Sequence, residues 1–220
     1  MAAREDVAPA STEVLKLGFD RIVFFSDGVL AIAVTLLVLE IRLPETEATT
    51  NQEVTNAILT MVPAIAAYLL SFSVVGTYWI LHHRLFKLIV DYDYRLISLN
   101  LMFLFGAAFV PVTTAVLSRY ADFTAAPIFY ALGTAFFGIS EFFVWAYAVR
   151  TKRLVRDDLP RSFVRYTSLR ILVPPAIFLL SIPIAALNAN LAEMSWALMI
   201  PAFLILRLLY PHDHELRAQV

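Results

Sequence analysis

Between Arg21 and Arg42 the sequence runs RIVFFSDGVLAIAVTLLVLEIR, and this stretch constrains the chain more than any other. From Ile22 to Leu39 only Ser26, Asp27 and Thr35 are strongly polar, and charge brackets both ends. Counted from Gly18 to Glu40, a helix here is roughly 34 Å long, enough to cross a bilayer core. An ionisable group within such a helix is costly in hydrocarbon, so Asp27 has to face protein or water. That makes it a functional-site candidate. The plainer explanation is a structural tie between two helices of one subunit.

On a helical wheel at ~100° per residue, Phe25, Gly28, Ile32, Leu36 and Leu39 fall within about 40° of one line, with Thr35 at its margin. Asp27 lies about 140° from Ile32. One helix therefore carries an apolar stripe on one side and a carboxylate nearly opposite. Either the stripe faces lipid while Asp27 faces the bundle, or the stripe meets a second copy of itself. Periodicity alone leaves both open.

Five further apolar spans follow, near 54–81, 95–118, 124–149, 168–187 and 191–209. The composition, 60% hydrophobic and 16% charged over 220 residues, belongs to a membrane protein, since soluble domains run near a quarter charged. A net charge of -1 argues against nucleic-acid partners, and the lack of cysteine removes disulfides, thiolate nucleophiles and Cys metal sites. The opening MAAREDVAPASTEVLK reads as a cytosolic tail rather than a cleaved signal. Of the Lys and Arg residues, fifteen lie in the two tails and the second and fourth connections, and only Arg42 and Arg119 on the other side. The positive-inside rule then puts both termini in the cytoplasm. Prolines 63, 111, 174, 175, 183 and 201 fall in spans and predict packing kinks.

Three polar features stand out. Arg21, Ser26, Asp27, Trp79, His82, His83 and Asn100 form a set at compatible depth, in which a Trp or His of the second span donates to Asp27 and fixes the rotation of the first helix. Glu141, inside FFGISEFFVWAY, is a lone carboxylate among aromatics; a structural partner such as Arg or Tyr is the leading reading, with proton or cation sites open. His82-His83 and His212-Asp213-His214 are weak metal candidates, and no metal is expected. Trp145, Tyr147 and Tyr166 read as interfacial anchors. No phosphate loop, dinucleotide fingerprint or Ser-His-Asp arrangement appears, so no catalytic residue is expected.

The pattern R-x-x-x-F-S-D-G-V-x-A-I-A-x-T-L-L-V-L-E-I, with Arg21, Phe25, Ser26 and Asp27 in place, resembles the first helix of the transmembrane protein 175 family of potassium channels. Trp79, His82-His83, Asn100 and Pro111 follow in that family's order. The resemblance implies an all-α integral membrane protein of six helices per chain, with the first helix lining a central pore. Residues 1–17 are then a cytoplasmic tail, 18–210 the channel domain and 211–220 a second tail. It also implies a homotetramer in the cell (inner or plasma) membrane, in contact with lipid and needing no cofactor beyond the permeant potassium ion. Ile32, Leu36 and Leu39 align with successive apolar rings, Ile32 with the narrowest and Thr35 with the hydroxyl tied to potassium preference. Ala31 stands where some relatives carry a hydroxyl, which implies weaker selectivity. No TVGYG carbonyl filter exists in this chain. The runner-up function is a secondary transporter coupling through Asp27 or Glu141.

Overall fold

Six helices long and apolar enough to cross a membrane make up the bundle: Lys16–Glu40, Val62–Leu88, Tyr94–Arg119, Ala125–Arg150, Arg161–Leu187 and Ala189–Leu209. A computed structural model describes residues 7–42, 44, 49–120 and 122–210, with side chains from residue 16 onward. In chain order the helices are α1 (Val7–Leu36, closed by a 3-10 turn over Leu37–Glu40), α2 (Asn51–Thr60), α3 (Val62–Leu88), α4 (Tyr94–Arg119), α5 (Ala125–Arg150), α6 (Arg161–Leu187), α7 (Ala189–Ser195) and α8 (Met199–Leu209). Among the described residues there is no strand, only one antiparallel bridge between Ile89 and Val155. The tail assigned to residues 1–17 is helical from Val7, and the His212–His214 cluster lies outside the described residues.

Three spans differ from expectation. The span expected at 54–81 is two helices. Thr50 and Glu53 cap α2 reciprocally: the Glu53 N–H donates to Thr50 Oγ1 at 3.3 Å, and the Thr50 N–H donates to the Glu53 carboxylate at 3.1 Å. The chain then breaks at Met61, and Pro63 stands in the first turn of α3, where its missing N–H has no helical partner to lose. It starts a helix rather than kinking one. α3 in turn continues past His82, His83 and Arg84 because Leu85, Phe86 and Leu88 keep burying one face. α6 starts at Arg161, seven residues before the expected 168, directly after Pro160. The sixth span is in three pieces, with a 3-10 turn over Trp196–Leu198 between α7 and α8 and Pro201 again in a first turn.

The core is aromatic and lies between α3, α4, α5 and α6. Phe103 and Phe137 stack at 4.9 Å, and Tyr78 tilts against Phe137 at 4.8 Å. Trp145, expected at the interface, is 0% exposed and belongs to this core, so its ring serves packing rather than headgroups. Tyr166 is also buried, against Tyr210. Small residues let helices close: a Cβ at Gly106 would stand 3.0 Å from the Phe137 Cα, a backbone atom that cannot give way. Toward the end opposite the basic loops, Thr114 donates to Ser71 at 2.7 Å and Trp196 donates to Ser181 at 2.9 Å, fastening α4 to α3 and the broken sixth span to α6.

At the basic end the α3–α4 and α5–α6 connections are stitched together. Val90 N–H donates to the Leu154 carbonyl at 2.8 Å, and Arg156 N–H to that of Leu88 at 3.1 Å. Arg153 bridges Asp91 at 2.9 Å and Asp93 at 3.0 Å, and the Tyr147 hydroxyl donates to Asp93 at 2.9 Å. Burial alone would raise the Asp93 carboxyl; the Leu96 N–H, Tyr147 and Arg153 outweigh it and hold the carboxyl below its ordinary range. A depressed carboxyl contributes stability that is complete above its ordinary pKa of 3.8 and is lost as pH falls through the lower folded value.

Two expectations follow. Arg153→Gln moves the onset of acid unfolding upward in pH and, because this arginine is exposed, costs at most about 1 kcal/mol at neutral pH; a pH series of unfolding midpoints in detergent reads both. Gly106→Ala loses about 1–3 kcal/mol in the same assay through overpacking, whereas Gly76→Ala, whose site is open, loses nothing.

Candidate functional site

Helix α1 turns one face to the bundle and leaves the other uncovered. Ser26, Leu30, Ala33 and Leu37 are buried at helical spacing and pack toward α3 and α4. Phe25, Gly28, Ile32, Thr35, Leu36 and Leu39 are exposed, Ile32 at 60% and Leu39 at 65%.

Two hydrogen bonds to two different helices set this rotation. Asp27 Oδ1 accepts from Trp79 Nε1 of α3 at 2.9 Å. Next to it, fully buried Ser26 Oγ accepts from Asn100 Nδ2 of α4 at 2.9 Å while donating to the Ile22 carbonyl at 2.9 Å. In a low-dielectric surrounding an unmade bond of this kind is costly, so both ties resist rotation of α1. His83 stacks on the Trp79 ring at 6.1 Å and holds it from the side.

Not every residue of the expected polar set joins these ties. His82 turns away from Asp27, and its Nδ1 lies 3.1 and 3.2 Å from the two carboxylate oxygens of Glu141 on α5. It stacks on Phe103 at 4.6 Å. Glu141, fully buried, thus has a histidine partner, where arginine or tyrosine was expected. Arg21 and Phe25 stay exposed, on the rim of an open cleft of about 690 Å³ between α1 and α4 that Gly28, Ile32, Tyr92 and Asn100 also line. The His82–Glu141 pairing had one sequence signal: two lone ionisable residues in neighbouring spans, each needing a partner. The sequence offers nothing that selects His82 over His83.

From Phe24 to Leu39 the uncovered face of α1 carries no ionisable group. Its single hydroxyl, Thr35, donates to the Ile32 carbonyl at 2.8 Å. With the proton committed to its own helix, the oxygen presents lone pairs, not a donor, to whatever lies outside. The face can offer an apolar wall and one acceptor; it has no acid or base for catalysis.

The sequence profile described as endosomal/lysosomal potassium channel TMEM175 matches residues 21–111, the part that holds Ser26, Asp27, Trp79, His82 and Asn100. A potassium channel of Streptomyces collinus is 32% identical over 184 residues, 81% of this chain and 88% of its own length. The chain belongs to the transmembrane protein 175 family. A second member, a potassium channel of Chamaesiphon minutus, is 31% identical over 180 residues, 78% of this chain and 86% of its own. The crystal structure of a lysosomal potassium-selective channel TMEM175 homolog from Chamaesiphon minutus is similar to this transmembrane protein 175 family fold with a TM-score of 0.73 and 27% identity. It covers 86% of this chain and 98% of that one. Together with the six apolar helices, this makes the chain a multi-pass protein of the cell membrane, from a family of ion channels rather than enzymes.

Removing the donor of the first tie tests its weight. Trp79→Phe leaves Asp27 unpaired and loses about 1–3 kcal/mol of stability. Adding Asp27→Leu to that variant recovers part of the loss, read by denaturant unfolding in detergent.

Proposed function

We propose that this chain conducts potassium passively across the cell membrane, through a pore walled by the α1 helices of four copies. Its bacterial relatives in Streptomyces collinus and Chamaesiphon minutus bear the name of potassium channel, and the observation that carries the pore is the uncovered apolar face of α1, set opposite two polar ties. A single helix cannot enclose a passage, so several copies must converge, and the family resemblance implies four. In that assembly Ile32, Leu36 and Leu39 form successive rings about one helical turn apart, with Ile32 the narrowest.

A ring of isoleucines offers no oxygen, so an ion passes only after shedding part of its water. Potassium, the more weakly hydrated of the two common monovalent cations, loses less there than sodium. The Thr35 oxygens, with lone pairs outward, supply partial compensation on one side of the ring. Selectivity then comes from pore width and dehydration rather than from a carbonyl cage. Both termini lie in the cytoplasm, by the excess of Lys and Arg on that side. Coupled transport needs a carboxylate that can open to the route; Asp27 is held by Trp79 and Glu141 is enclosed with His82, which favours the channel.

Proteoliposomes with matched potassium and sodium gradients test the reading. The native chain passes uncoupled potassium flux that exceeds sodium flux. Ile32→Asn raises flux and erases the preference, and Thr35→Val lowers the potassium-to-sodium ratio about tenfold, the worth of ~1.4 kcal/mol. Flux that is unchanged in Ile32→Asn would rule out α1 as the pore wall.

A further inference from the structure

A groove away from the α1 polar ties runs between α3, α6 and α8. Its chamber toward the basic end, about 410 Å³, is lined by Thr77, Tyr166, Arg170, Phe203 and Arg207 among others. A second chamber, about 560 Å³, is lined mostly by apolar side chains such as Leu70, Val74, Trp196 and Met199. Thr77, Ile200 and Phe203 border both, so the two adjoin.

The charge of the first chamber is one-sided. Arg170 lies more than two turns inside α6, half-buried, its guanidinium 5.9 Å over the Phe203 ring. Arg207 stands in the last turn of α8. No carboxylate lines this chamber, and among the described residues neither arginine has one within ion-pair distance. Half-buried Arg170 near the hydrocarbon, beside exposed Arg207 and with no counter-charge among the described residues, is costly, and an anionic ligand lowers that cost. The apolar chamber, whose one acid is Glu193 toward the opposite end, has the character of a bed for an acyl chain.

We propose that this groove binds an anionic phospholipid, its phosphate bridging Arg170 and Arg207 and one acyl chain lying along the apolar chamber. The polar and apolar halves follow each other in the order in which an amphiphile enters from the basic face, and basic pockets between membrane helices suit such headgroups. The inference concerns a face other than the pore and stands independently of how ions cross.

Native mass spectrometry of the detergent-purified assembly, titrated separately with phosphatidylglycerol, phosphatidylcholine and glycerol 3-phosphate, reads the site. Phosphatidylglycerol binds at least tenfold more tightly than phosphatidylcholine, and millimolar glycerol 3-phosphate does not displace it. Arg170→Gln/Arg207→Gln brings phosphatidylglycerol to the phosphatidylcholine level, Arg170→Lys/Arg207→Lys retains most of the preference, and Arg161→Gln changes nothing. Ala66→Trp, which fills the apolar chamber, weakens both lipids. Equal binding of the two lipids by the native chain overturns the proposal even where the Gln variant does not fold. So does equal competition by glycerol 3-phosphate, which marks a phosphate site without an acyl bed. Absence of bound lipid from the assembled protein, the result of a neighbouring copy filling the groove, overturns it too.

Discussion

A carboxylate carried into an apolar span has to be paired, and the pairing of Asp27 with Trp79 orders much of this molecule. One such bond would leave a helix free to roll about the contact. Ser26, the adjacent residue, points about 100° away and is held by Asn100 on a different helix. Two anchors in two directions fix the azimuth of α1. The apolar side is then uncovered as a consequence, because it is the side that neither anchor occupies.

Much of this arrangement was legible beforehand, and the reason is the economy of charge in hydrocarbon. A single aspartate among apolar residues predicts its own orientation, and the donors at matching depth, Trp79, His82 and His83, narrow its partner to three without choosing among them. The third and fourth spans were likewise readable, since long apolar runs ended by Arg119 and Arg150 have few other ways to fold. The break at Met61 was not, because Val54, Ile58 and Leu59 are as apolar as the span they precede. The signals for it were the Thr50 and Glu53 capping pair, which starts α2, and a proline placed to start α3. Trp145 was misplaced for a related reason: a tryptophan near a helix end reads as an anchor unless the packing of the neighbouring helices is known. That packing depends on glycines and aromatics scattered over α4, α5 and α6.

His82 and Glu141 form a second buried polar pair, away from α1 and shielded by Phe86 and Phe103. It joins α3 to α5, just as Asp27 and Ser26 join α1 to α3 and α4. α3 is therefore the hub of these polar ties, joined on one side to the helix with the uncovered face and on the other to the aromatic core. Such bonds between helices do in a membrane what hydrophobic contact alone cannot, since lipid tails are as apolar as the side chains they replace.

The 3-10 turn that closes α1 has a consequence for how such a chain can change in length. Winding at three residues per turn brings Leu39 into line above Leu36, where an α-helix would offset the two by about 60°. One residue gained or lost between Leu37 and Glu40 would swing everything beyond it by roughly a third of a turn and take Leu39 out of line with Leu36. Natural variation in length is expected to spare these four residues.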